Sequence, residues 1–197
     1  MSEKLTRPGI ASLAGRLTWW GDPGASGGPR RDAGIEILKK IQPNVKLVLV
    51  GDGPHRRSLE ELTSKLGLES NIEFLGYVSA EKKMEMIASS NALVFPSLCE
   101  GFVIVILEAF SQRRPVLVSN VRPLSDIASH GKNGFVLDPH DEKIWAEHLL
   151  ELITNPSRAL EMGEEGNKTL AGSFSRESMY DKILEMYASC QAKSKNR

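Results

Sequence analysis

The sequence has few cysteines, no net charge and no long apolar run, and each absence excludes a class of protein. Its two cysteines, Cys99 and Cys190, are too few for a disulfide framework and do not have a metal-ligand spacing. Because 25 basic residues balance 25 acidic ones, the chain lacks the basic excess of a general nucleic-acid binder. No apolar run approaches the roughly 18 residues of a membrane span, and the first ten residues lack the apolar core of a secretory signal. We therefore expect a reduced, cytoplasmic setting and no transmembrane segment.

What is present is the composition of a folded domain. Of 197 residues, 41% are hydrophobic, and a chain of this length suggests one domain that buries about 70% of its extended surface. Short β-branched runs alternate with segments of helical periodicity, which predicts a Rossmann-like α/β fold: a parallel sheet with helices on both faces. The predicted strands cover 45–50, 71–75, 92–95, 115–118 and 134–137, and the predicted helices cover 55–66, 79–90, 103–112, 123–130, 141–154, 157–171 and 176–190.

The first 45 residues and the last few are less regular. An apolar run at 10–14 is the candidate first strand, which Gly15 and Arg16 would follow. Five glycines between residues 21 and 34 predict an irregular Gly/Pro-rich loop over 18–34. We thus expect an N-terminal extension over 1–9, the Rossmann-like domain over 10–190, and a polar, disordered tail over 191–197.

The loops that follow the predicted strands are candidate ligand sites. Open parallel sheets bind ligands beyond the carboxyl ends of their strands, where helix N-termini favour anions such as phosphate. Two acids mark one of these places: Glu100 lies in a loop, and Glu108 lies eight residues later in an otherwise apolar helix. Gly101 between them would let a ligand approach the backbone. On the residues alone, Glu108 could equally point to solvent, because burying an unpaired carboxylate is costly.

Four stretches of the sequence resemble a known family. They are PNVKLVLVGDGP, NIEFLGYV, the run from ALVFPSLCEGF to ILEAF, and PVLVSN followed by GKNGFVLDPHD. They resemble the C-terminal domain of retaining glycosyltransferases of the GT-B fold, the group 1 family that includes sucrose-phosphate synthase and many mannosyl- and glucosyltransferases. The E-x7-E motif of that family falls on Glu100 and Glu108. The resemblance implies one half of a GT-B fold. This half would bind a nucleotide-diphosphate sugar whose nucleotide is UDP or GDP, and it would need no metal or other cofactor.

The resemblance also assigns roles to individual residues. Arg16 matches the arginine that contacts the diphosphate, and Glu100 matches the acid near the donor sugar; these two are the implied catalytic residues. Glu108 matches the carboxylate that accepts hydrogen bonds from the ribose hydroxyls. The other implied donor-binding positions are Gly15, Gly51, Gly53, Gly101, Val78 beside the base, and the backbone N–H groups of Phe102, Val103 and Ile104 at the β-phosphate.

Three departures from the family pattern bear on activity. The lysine expected soon after Gly15-Arg16 is missing, and Arg30 or Arg31 would have to replace it. Val103 stands where a smaller residue is commoner, so its β-branched side chain could crowd the phosphate. The chain also has no room for the acceptor-binding domain. We therefore expect a donor-binding half that is nearly inactive without an N-terminal domain or a separate subunit, and that is peripheral at the membrane in the complete enzyme.

Two alternatives stay open on the sequence. A non-catalytic nucleotide-sugar-binding or protein-interaction module with a decayed site would account for the missing lysine and for Val103. A hexosamine epimerase-like enzyme of the same fold would also need an N-terminal domain.

Two helices outside the motif carry further expectations. In the last helix, Met179, Ile183, Leu184 and Tyr187 form an apolar stripe, which predicts self-association or a protein partner. In the run at 82–84, we expect a solvated helix face, from which Lys83 could approach the base.

Overall fold

The computed structural model describes residues 16–20 and 44–195, with side chains described from residue 44 to residue 191. Its six strands form one parallel sheet in the order β3-β2-β1-β4-β5-β6. This is the strand order of a doubly wound Rossmann fold, with the order reversing between β1 and β4. The strands are β1 (Arg16–Trp20), β2 (Lys46–Val50), β3 (Ile72–Gly76), β4 (Ala92–Phe95), β5 (Val116–Ser119) and β6 (Gly134–Leu137).

Seven helices connect and follow the described strands. Several of their ends have the residues that physical chemistry favours: Ser79 accepts a hydrogen bond from the Lys82 N–H at one N-terminus, and Gly67 ends another helix with φ of 65°. The helices are α1 (Arg56–Leu66), α2 (Ala80–Ser89), α3 (Ile104–Ser111), α4 (Leu124–Ile127), α5 (Glu142–Thr154), α6 (Pro156–Ser173) and α7 (Arg176–Lys195).

Alternate residues of the central strands separate the core into two halves. In β4, Ala92 and Val94 join one buried cluster, whereas Leu93 and Phe95 join another. Helices α1 and α5 contribute to the first cluster and α2, α3 and α4 to the second, while α6 contributes to both. Since the two clusters lie on opposite faces of the sheet, the prediction of a parallel sheet with helices on both faces is confirmed.

Two glycines of α6 fix the position of α3. A Cβ atom at Gly163 would lie 2.1 Å from the carbonyl oxygen of Arg113, just after α3, and one at Gly166 would lie 2.4 Å from Cδ1 of Phe110. The Asn167 side-chain amide donates a hydrogen bond to the Phe110 carbonyl at 3.2 Å. Helix α3 is therefore held by close backbone contact as well as by its apolar side chains.

The structure corrects four boundaries. The first described strand is Arg16–Trp20, so the predicted 18–34 loop begins inside a strand. The run at 10–14, predicted as the first strand, lies outside the described residues. Helix α4 ends at Ile127, short of the predicted residue 130, and Pro123 is its N-cap and not its first residue. Helix α7 continues to Lys195, so the tail predicted from 191 is mostly helical. The extension predicted over 1–9 lies outside the described residues.

Candidate functional site

The ends of β2 and β3 form one wall of the candidate site. The Gly51 N–H donates a hydrogen bond to the Gly76 carbonyl at 2.9 Å, and Gly51 has φ of 123°, a value that L side chains rarely adopt. In the next turn, Oδ1 of Asp52 accepts a hydrogen bond from the Gly53 N–H at 2.8 Å. Val78 is half-buried beside the cluster under this wall. Gly51, Gly53 and Val78 therefore lie at the carboxyl edge, where sequence reasoning expected them.

The helices that begin at this edge differ in how their N-termini are capped. Side chains cap α2 and α5, whereas no described side chain caps α1, α3 or α4. The first N–H groups of a helix lack intrahelical acceptors, and the helix dipole adds partial positive charge there. The start of α3 can therefore offer its N–H groups to an external acceptor.

Three residues at the start of α3 have contrasting exposure. The side chains of Phe102 and Ile104 are 60% and 63% exposed, and Gly101 before them is exposed. Val103 is 6% exposed and packs in the buried cluster of α3. The expectation that Val103 crowds a phosphate is therefore wrong, because its side chain packs in the core and not at the exposed start of α3.

Glu100 is held by a serine that sequence reasoning missed. The Ser97 hydroxyl, on a residue that is 7% exposed, lies 2.6 Å from Oε1 of Glu100 and 3.3 Å from the Cys99 carbonyl. The shorter contact orients the carboxylate just after β4. A serine three residues before an acid is typical of helix caps, in which both side chains accept hydrogen bonds from backbone N–H groups, so the sequence held no specific signal for this contact between two side chains.

Glu108 is paired with a lysine from the neighbouring helix. The Lys83 ammonium on α2 lies 2.5 Å from Oε1 of Glu108 on α3, and the two side chains are 18% and 23% exposed. The prediction that Lys83 lies on a solvated face is thus wrong. A signal was present, because Lys83 precedes the buried Met86 and Ile87 by three and four residues, which places all three on one side of the helix.

Arg16 does not lie in a loop after a strand. It is the first residue of β1 and pairs with Lys46, the first residue of β2. With a rise of about 3.3 Å per residue, its Cα lies about 13 Å from that of Trp20 at the carboxyl end. The predicted placement of Arg16 beside the ligand edge is therefore wrong. Its contact with a diphosphate and its catalytic role stay predictions that this placement disfavours. Gly15, Arg30 and Arg31 lie outside the described residues.

Two classes of feature are not found in the described part of the chain. Residues 16–20 and 44–195 contain no group of three side chains that could ligate a metal. Among the same residues, no helix is both long enough and apolar enough to cross a bilayer.

The sequence is similar to several curated glycosyltransferases. It is 31% identical over 155 residues to the lipopolysaccharide core biosynthesis glycosyltransferase LpsE of Rhizobium meliloti (strain 1021), covering 79% of this chain and 45% of that protein. It is 30% identical over 156 residues to the alpha-D-kanosaminyltransferase of Streptomyces kanamyceticus, covering 79% of this chain and 40% of that protein. The chain thus spans less than half the length of these relatives.

Solved structures share the fold. A mutant of S. aureus TarM, in a complex that contains UDP, superposes with a TM-score of 0.79 at 23% identity, over 89% of this chain and 36% of TarM. Anabaena HepE in complex with UDP superposes with a TM-score of 0.78 at 22% identity, over 90% of this chain and 49% of HepE. The family model described as glycosyl transferases group 1 matches residues 33–169. The chain belongs to the glycosyl transferases group 1 family and has the Rossmann-like architecture of GT-B enzymes.

Proposed function

We propose that this chain is the donor-binding domain of a retaining glycosyltransferase that moves a hexose from a nucleotide-diphosphate sugar. The observation that carries the proposal is the start of α3, where uncapped N–H groups lie between two acids that are each held by a described partner. This combination suits a ligand that has an anionic centre and hydroxyl groups on either side of it.

The phosphates are assigned to the start of α3. The N–H groups of Phe102, Val103 and Ile104 would bind the β-phosphate, and the exposed Gly101 leaves the approach open. Such N–H groups are fixed in place before the reaction, so they stabilise the charge that develops on the departing diphosphate. No metal is needed for this role.

The two acids are assigned to the two sugars of the donor. Glu108 would accept hydrogen bonds from the ribose hydroxyls, and Glu100, oriented by Ser97, would lie near the transferred hexose. Gly51, Gly53 and Val78 would line the side of the base. In the retaining reaction, the acceptor would attack from the face that the diphosphate leaves.

Acceptor binding is assigned to another domain or subunit. The chain spans less than half of its relatives, so we propose that an N-terminal domain or a separate subunit supplies the acceptor, and that this chain alone turns over little. We place the complete enzyme in the cytoplasm, peripheral at the membrane.

Helix α7 is assigned to self-association or to such a partner. Met179, Leu184 and Tyr187 are between 50% and 65% exposed on this helix. Apolar surface of this kind is commonly covered by another protein. Light scattering at high protein concentration tests the assignment, and a clean monomer would count against self-association.

Calorimetric titration with UDP, GDP and ADP tests the donor site. We expect one of them to bind, and UDP is the first choice because TarM and HepE have been crystallised with it. The absence of binding by all three at millimolar concentration would overturn the proposal.

One observation favours the alternative of a non-catalytic module with a decayed site. Arg16 begins β1 at the amino edge of the sheet, away from the start of α3. Under this alternative the protein unfolds cooperatively and at an ordinary temperature, yet it binds no nucleotide. The same titration, run beside a thermal melt, separates the two functions.

A further inference from the structure

The pair formed by Lys83 and Glu108 joins two helices at the candidate site. We propose that Lys83 is a positioning residue. Its ammonium group fixes the orientation of the Glu108 carboxylate, and the carboxylate can then accept hydrogen bonds from both hydroxyls of a ribose cis-diol. This assignment rests on the proposed function, because it gives Glu108 a nucleoside ligand. Lys83 itself is not proposed to touch the donor.

The surroundings of Glu108 explain why the carboxylate needs a partner. Glu108 is 23% exposed and lies on a helix whose neighbouring residues Ile106, Ala109 and Phe110 are fully buried. A carboxylate largely withdrawn from water is costly without a counter-charge, and its flexible side chain has several rotamers. The contact of 2.5 Å from Lys83 supplies both the charge and one fixed orientation.

The pair leaves capacity for a ligand. A carboxylate has about four lone-pair positions, so Glu108 can accept a hydrogen bond from Lys83 at Oε1 and still accept two hydroxyl hydrogens. The lysine therefore does not have to leave when the nucleotide binds. If it instead blocked the site and had to be displaced, its removal would tighten nucleotide binding. The sign of the change in affinity distinguishes these two mechanisms.

The adjacent lysine provides a matched control. Lys82 is on the same helix and also pairs with an acid, Glu85, at 3.3 Å, but these side chains are 60% and 69% exposed. An exposed pair of this kind contributes little to stability or to a distant site. Lys82→Met thus removes one charge from α2 without touching Glu108.

The experiment compares wild type, Lys83→Met, Lys83→Arg and Lys82→Met by calorimetry with UDP and with 2′-deoxy-UDP, or with the corresponding pair for the base that binds. We expect Lys83→Met to weaken UDP binding about tenfold, as for the loss of a charge-supported hydrogen bond. It should weaken 2′-deoxy-UDP binding less, so that the ratio of the affinity for UDP to the affinity for 2′-deoxy-UDP falls towards one. Lys83→Arg should keep the preference, and Lys82→Met should match wild type.

The outcomes separate this assignment from the proposed function. If wild type binds no nucleotide, the proposed function fails, and the assignment of Lys83 fails with it. If wild type binds and prefers ribose, but Lys83→Met keeps that preference or binds more tightly, only the assignment is overturned. A thermal melt accompanies each variant. Should Lys83→Met not fold, Lys83→Gln keeps a polar side chain on α2 and is expected to show the same loss of preference.

Discussion

Replacing Gly163 by alanine tests how α6 holds α3 in place. The new Cβ would lie 2.1 Å from the Arg113 carbonyl oxygen and 2.6 Å from the carbonyl carbon. An ordinary contact needs about 3.5 Å, so α6 would have to retreat by more than about 1 Å. The Arg113 backbone cannot yield easily, because its N–H donates to the Phe110 carbonyl at 3.0 Å and its φ is 51°.

The expected magnitude follows from two opposing contributions. Overpacking costs about 1–3 kcal/mol, and a clash with fixed backbone belongs near the upper end. Alanine in a helix recovers about 1 kcal/mol relative to glycine. The net loss is about 2 kcal/mol, which lowers the melting temperature by about 4–8 °C for a chain of this size.

Gly172→Ala is the matched control in the same helix. No atom lies within 4 Å of the position that its Cβ would occupy, so only the gain in helix propensity remains, about 0.5–1 kcal/mol. Thermal unfolding followed by circular dichroism should show Gly163→Ala below wild type and Gly172→Ala slightly above it. If both variants were equally stable, the close contact between α6 and the end of α3 would not exist as described.

Three further substitutions test local contacts. Asn155→Ala removes the cap of α6, where Oδ1 accepts from the Arg158 N–H at 3.2 Å, and should cost about 1 kcal/mol in urea unfolding; no shift in the midpoint would contradict the cap. Trp145→Phe leaves the Asp138 carbonyl without the indole N–H at 2.8 Å and should cost about 1–3 kcal/mol in the same assay, whereas an unchanged midpoint would mean that this bond contributes nothing. Glu108→Gln should weaken UDP binding about tenfold by calorimetry, and unchanged affinity would remove Glu108 from the site.

Much of the fold could be predicted because the hydrophobic periodicity of each segment agreed with the residue types at its ends. The strand 92–95 is fully buried and apolar, and it was predicted with its observed bounds. Serine and glycine are residue types that favour helix ends, and Ser79 and Gly67 cap helices in the structure. The sheet order could not be read from the sequence, since it depends on which strands pair. The strand at 16–20 was not predicted, because Ile10 to Ala14 and Arg16 to Trp20 are both short, mainly apolar runs, and periodicity alone does not favour one over the other.

The candidate site was predicted in part for similar reasons. Glu100 and Glu108 could be singled out because acids stand out beside Gly101 and in an apolar helix. The partner of Glu108 could not be predicted, because Lys83 is 25 positions away in the sequence and only the packing of α2 against α3 brings the two side chains together. The buried position of Val103 likewise depends on how α3 sits on the sheet.

The most direct test of the central claim is a titration of isotopically labelled protein with UDP, followed by the backbone amide signals in NMR spectra. The account predicts that the largest changes occur at Gly101 to Ile104, at the start of α3, with smaller ones near Glu108 and Gly51. Unchanged spectra at millimolar UDP, or changes confined to α5 and α6, would contradict it.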